Sequence, residues 1–199
     1  MTITIGIDIG QRKDPTALCV AEFETRAGVT RSEIHYLIRH LERLPLRTPY
    51  PEIAGRLRGL CERVGRQAAG RPTAYVDATG VGLPVVDILK AAVTEVTVVP
   101  VFFTHGDRRA EKDGEVLLGK AFLVSRLQAL LQTRRLHLPK TEQARALAVE
   151  LETYEIRVSE DANDRYGAFR VGTHDDLVTA LGLAAQVDHP RGAPMIWRA

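Results

Sequence analysis

The chain of 199 residues is 45% hydrophobic and 26% charged, the balance of one soluble globular domain, and a formal net charge of +2 excludes nucleic-acid binding by bulk charge alone. Arginine supplies 22 of the 27 basic residues, which suits bidentate phosphate contacts and is equally what GC-rich codon usage would produce. No run reaches the roughly 18 apolar residues of a membrane span and the first residues lack a signal peptide's layout, so the sequence predicts a cytoplasmic protein with no membrane partner.

The chain opens on an alternating run, TITIGIDIG, with Ile3, Ile5, Ile7 and Ile9 on one face and Thr2, Thr4, Gly6 and Asp8 on the other, which predicts a half-buried strand ending in a carboxylate. A polar turn, Gln11 to Pro15, leads to a second apolar run, Thr16 to Phe23, and a third strand, Glu33 to Arg39, so the first three strands form an antiparallel meander. Ile53, Leu57, Leu60, Cys61 and Val64 at helical spacing predict a helix over 51–68, a crossover to a parallel strand over 74–78. Cys19 and Cys61 lie among apolar neighbours and read as small buried hydrophobes.

A glycine-bearing turn, Thr79 to Gly82, precedes a helix over 83–93 and a strand from Val96 to Phe103. The polar stretch from Thr104 to Gly114 reads as a loop, followed by one long amphipathic helix carrying Val116, Leu117, Ala121, Val124, Leu127, Leu130 and Leu131. A short extended piece, Leu136 to Pro139, and a helix over 141–152 come next. Extended segments 154–159 and 166–172 flank a polar linker and predict a hairpin near Asn163, and the last helix covers 174–187. The expectation is one α/β domain over 1–189, its mixed sheet antiparallel in the first three strands and parallel later, with helices around it and a tail over 190–199 that carries Trp197.

Two aspartates end apolar strands, Asp8 and Asp77, where a carboxylate costs several kcal/mol, to order of magnitude, unless it is paired. If their strands are parallel neighbours, both face one crevice at the carboxyl ends of the sheet, and like charges so placed call for a bridging cation. Thr173-His174-Asp175-Asp176 starts the last helix, with Thr173 as N-cap and Asp176 three positions on, imitating a capping box. Capping accounts less well for Asp175, which is therefore the first choice for a third site residue, although a plain helix start also explains the acidic pair. His174 beside them reads either as a proton shuttle or as an ordinary first-turn residue. Three carboxylates without a cysteine cluster or paired histidines favour a hard ion, Mg²⁺ or Mn²⁺, and two such ions about 3.5–4 Å apart can drive phosphodiester hydrolysis without a protein nucleophile.

The blocks IGIDIGQRKDPTAL, YVDATGVG and THDDLVTALGLA, taken in order, resemble the nuclease domain of phage large terminase subunits, within the ribonuclease H-like superfamily. The resemblance implies a metal-dependent endonuclease that cuts double-stranded viral DNA during genome packaging. It implies Asp8, Asp77 and Asp175 as catalytic metal ligands with Asp176 as an auxiliary, and an ATPase motor, a small terminase subunit or a portal as partners. No Gly-x-x-x-x-Gly-Lys-Ser/Thr loop is present in the sequence, so the motor is expected on another domain or another chain. The chain is expected to be either an excised domain or an independently encoded nuclease.

Other ribonuclease H-like nucleases, Holliday-junction resolvases among them, share this chemistry and are the nearest alternative. A sugar-kinase or actin-like nucleotide-binding domain would use similar opening blocks but needs about twice the length, and a non-catalytic DNA-packaging module would make the acids structural. Because catalytic acids repel phosphate, positive charge is expected around them, from Arg12 and Lys13 beside the first strand and from Arg108, Arg109 and Lys112 in the polar loop.

Overall fold

The computed structural model describes residues 1–10, 14–28, 32–80, 82–158, 164–167 and 174–188. Arg12, Lys13, Thr173, the tip of the hairpin at Asn163 and the tail over 190–199 lie outside them. Strands β1 (Thr2–Asp8), β2 (Ala17–Ala27) and β3 (Ser32–Arg43) form the antiparallel meander expected from their alternation. Helix α1 (Tyr50–Gln67), with a proline in its first turn, crosses to β4 (Thr73–Asp77), which pairs parallel with β1. Helix α2 (Gly82–Ala92) then crosses to β5 (Thr97–Thr104), parallel to β4.

Between residues 104 and 120 the chain departs from the sequence expectation. The polar stretch is not wholly loop, and the following helix does not begin at Val116. Strand β6 (Arg109–Lys112) folds back on β7 (Glu115–Gly119), and only then does α3 (Lys120–Gln132) begin. The reason is the Asp113-Gly114 pair, which has φ of 51° and 85°. Two consecutive left-handed residues make the turn that matches the twist of a two-residue hairpin, and glycine takes that conformation without a Cβ penalty.

After the two-residue β8 (Leu136–His137), parallel to β3, come α4 (Glu142–Thr153), the strand pair β9 (Glu155–Val158) and β10 (Asp164–Gly167), and α5 (Asp176–Ala185). The main sheet has eight strands in the order β6-β7-β5-β4-β1-β2-β3-β8, mixed as expected. Its two faces bury separate cores. Ile3, Ile5, Ile7 and Ile9 join Leu57, Leu60 and Cys61 of α1 and Val86 and Leu89 of α2 on one side. Cys19, Tyr75, Val101 and Leu118 pack with Leu127 of α3, Leu147 of α4 and almost the whole of α5 on the other. Both cysteines are buried and unlinked, as read from their neighbours.

The second face explains the odd composition of β1. Helix α5 lies directly on the row Thr4, Gly6, Asp8. The Thr4 hydroxyl donates to the Ala184 carbonyl at 2.6 Å, and a Cβ on Gly6 would stand 1.9 Å from the Ala180 carbonyl oxygen. Glycine is required there because helix backbone touches strand backbone.

Candidate metal centre

This docking sets the site. Two residues along a strand advance about 6.7 Å and four residues along a helix about 6 Å, so the two repeats stay nearly in step. Thr4 meets Ala184 and Gly6 meets Ala180, so the next step brings Asp8 abreast of Asp176 at the start of α5. Across the sheet, Asp8 is opposite Ala17 of β2, which is opposite Arg43 of β3. On the other side Ile7 pairs with Val76, which puts Asp77 beside Asp8, and Asp77 pairs with Val101. Residues opposite one another in register point to the same face. One row therefore reads Arg43, Ala17, Asp8, Asp77, Val101, with the first turn of α5 above it.

The electrostatics record the convergence. Burial is the largest cause of the rise of the Asp8 carboxyl well above its ordinary range, and the charges of Asp77, Asp175 and Asp176 raise it further; Lys120 opposes them more weakly. Asp77 is likewise raised, first by burial and also by Asp175, against hydrogen bonds from Thr79 and the charge of Lys120. The Thr79 amide donates to Asp77 Oδ1 at 2.8 Å, and the Thr79 hydroxyl accepts from the Phe103 amide, which fixes the turn leaving β4. The sequence-predicted acids Asp8, Asp77, Asp175 and Asp176 are thus brought together from β1, β4 and α5.

Helix α5 begins differently from the sequence reading. Its N-cap is Asp175, whose side chain makes no capping bond, and Asp176 is the first helical residue. Asp176 is 1% exposed, and its Oδ2 accepts from Arg43 Nε at 2.6 Å. Its Oδ1 is buried with no hydrogen-bond partner, 3.7 Å from the similarly unsatisfied Nδ1 of His174. Burial raises the Asp176 carboxyl, and the Arg43 guanidinium holds that rise in check.

Three residues of this region carry no local signal in the sequence. Lys120, the first residue of α3, stands over the Phe103 ring at 5.5 Å and acts on both Asp8 and Asp77. Arg43 and Glu150 pair behind Asp176. Of the basic residues expected to meet DNA, Arg108 and Lys112 are exposed around the β6–β7 hairpin. Arg109 is engaged inside the fold, donating to the buried Gln186 Oε1 at 3.0 Å and to Glu111, and so ties β6 to the end of α5.

The donor set is all oxygen, and a buried carboxylate oxygen without a partner faces an excess of negative charge, which fits a hard divalent ion. Among the described residues the acids act on one another electrostatically, and as placed no three Asp, Glu, His or Cys side chains form a group that could hold a metal ion.

A mixed sheet with an antiparallel meander, parallel strands beside it, acids at the carboxyl ends of β1 and β4 and a helix laid over them defines a ribonuclease H-like α/β domain. Solved structures of that fold superimpose on it. The large terminase nuclease from thermophilic phage G20c with bound magnesium matches with a TM-score of 0.66 at 22% identity, over 92% of this chain and 80% of that one. A mutant nuclease domain of the large terminase subunit gp2 of bacterial virus Sf6, with manganese and beta-thujaplicinol, matches at 0.63 and 14% identity over 93% and 88%. The large terminase nuclease domain from bacteriophage SPP1 with bound Mn matches at 0.54 and 16% identity over 92% and 85%. The sequence model of the Terminase RNaseH-like domain matches residues 5–186, so the chain belongs to that family. No curated protein matches significantly.

Proposed function

We propose that this domain is a two-metal-ion endonuclease that hydrolyses phosphodiester bonds of double-stranded DNA during viral genome packaging. The observation that carries the reading is the gathering of Asp8, Asp77, Asp175 and Asp176 at the carboxyl edge of the sheet, with burial and mutual repulsion raising Asp8 above the ordinary carboxylate range. Asp8, Asp77 and Asp175 would hold Mg²⁺ or Mn²⁺, with Asp176 Oδ1 behind them. When bound, a pair of such ions lowers the pKa of water and neutralises the charge that builds on phosphate during in-line displacement. The chain's own residues present carboxylate oxygens from three elements, and Lys120 adds a positive charge at the rim. Membership of the family supports a DNA substrate and an assembly with an ATPase motor, a small terminase subunit or a portal. No helix among the described residues is long and apolar enough to cross a membrane.

The test is cleavage of supercoiled plasmid with Mn²⁺ supplied. Wild-type protein nicks or linearises it, whereas Asp8→Asn abolishes cleavage and leaves DNA retention in a gel-shift assay largely intact. Equal cleavage by Asp8→Asn would contradict the assignment.

A further inference from the structure

We propose that Arg43 and Glu150 are positioning residues that set the acidic first turn of α5 against Asp8, an inference that rests on the nuclease reading above. Helix N-termini leave the amides of their first turn without partners, and the N-cap side chain usually accepts from the second or third of them. In α5 the N-cap Asp175 does not do so. Glu150, in the last turn of α4 and 6% exposed, takes its place: Oε2 accepts from the Leu177 amide, 27 residues on, at 3.0 Å and from the Val178 amide at 3.2 Å. Its Oε1 accepts from Arg43, whose Nε donates to Asp176. Three elements remote in sequence, β3, α4 and α5, are pinned to one another through a single guanidinium.

The composition of this cluster argues against a purely stabilising role. Two buried carboxylates share one arginine, one negative charge more than the guanidinium meets, and Asp176 Oδ1 is left without a hydrogen bond, 3.7 Å from the His174 ring. Burying unbalanced charge is costly, and a device built for stability alone is served better by a neutral pair or by apolar packing. The surplus lies on the side that presses on Asp8. Ala17, fully buried between Arg43 and Asp8 on the same face, keeps the floor low enough for the α5 terminus to sit there. Glu150 of α4 takes over the capping that the N-cap side chain leaves undone, and Arg43 of β3 holds Asp176 by Oδ2, so the placement of the α5 terminus depends on Arg43 and Glu150.

The test is Mn²⁺ binding to the full chain, read by the electron paramagnetic resonance signal of free Mn²⁺, with thermal melting in EDTA as the control for folding. Removing a nearby positive charge strengthens cation binding if only background charge matters, so Arg43→Gln separates the two roles. Positioning predicts that Arg43→Gln weakens Mn²⁺ binding by roughly ten- to a hundredfold, the range usual for residues that orient metal ligands, and that Arg43→Lys recovers part of it. Glu150→Gln, nearly isosteric and still able to accept from the two amides, keeps the fold and shows a smaller loss. Unchanged or tighter binding by folded Arg43→Gln would overturn the inference and leave the nuclease reading standing. Wild-type protein that takes up no Mn²⁺ would bring down both.

Discussion

Asp8 carries a charge that its surroundings oppose: burial raises its carboxyl first, then Asp77, Asp175 and Asp176 add repulsion. A group whose pKa is higher in the folded than in the unfolded state stabilises the fold fully below its unfolded value, near 4, and that contribution is lost as pH rises through the raised value. At neutral pH in EDTA, Asp8 is therefore a net cost to the fold. Asp8→Asn is expected to melt higher than wild type at about pH 7–8, by about 2–4 °C for each kcal/mol relieved in a domain of this size. Calorimetry should show the gap closing as pH approaches about 4, and an Asp8→Asn protein that melts no higher at neutral pH would contradict the account. Giving up stability at a working carboxylate is a common trade. The same local conflict makes Asp8 and Asp77 legible in the sequence, because a carboxylate ending an apolar strand lacks a cheap structural reason. Arg43 and Glu150 are not legible there: each reads alone as an ordinary surface charge, and only the fold brings residues 107 positions apart into contact.

At the scale of elements, the meander, the α1 crossover and the parallel β4 and β5 follow from hydrophobic period, and the structure reproduces them. Over 104–120 the period misleads, because Val116 and Leu117 keep helical spacing with the residues of α3 although they lie in a strand, and the Asp113-Gly114 turn outweighs that spacing. The same ambiguity hides Lys120, which is a helix-start residue only once β7 has ended. The short edge strand β8 is held through a histidine pair: His35 Nδ1 and His137 Nε2 are 2.8 Å apart, with Arg26 Nη1 at 3.4 Å from the same His137 nitrogen. Since a guanidinium only donates, His137 Nε2 is the acceptor and His137 is neutral. Burial, then Arg26 and His35, hold its pKa below the ordinary histidine value. A histidine depressed in this way contributes stability above its unfolded pKa of about 6.5, and the contribution is lost as pH falls through the lowered folded value. Against His137→Gln, whose carbonyl accepts from the same donors without titrating, wild type should therefore lose melting temperature between about pH 7 and pH 5, so that the two proteins differ in slope over that range. An identical slope in the variant would show that the pair does not couple protonation to folding.

For the whole molecule, the net charge of +2 leaves DNA binding to local clusters, and the structure divides the basic residues that look alike in the sequence. Arg108 and Lys112 are exposed at the two ends of β6, an edge strand of the sheet, whereas Arg109 is engaged in anchoring β6 to α5. Reversing Arg108 and Lys112 to glutamate should weaken binding to unrelated duplexes alike. It should also flatten the dependence of log affinity on log salt by about 0.9 for each phosphate that is no longer neutralised. An unchanged slope in filter binding would place the DNA path elsewhere. Everything functional rests on strands β1 and β4 and helix α5 meeting so that Asp8, Asp77 and Asp175 share divalent ions, and a crystal structure grown with Mn²⁺ tests that most directly. Anomalous density for two ions about 3.5–4 Å apart among these carboxylates is the predicted result, and a well-ordered site with no manganese between Asp8 and Asp77 is the result that contradicts it.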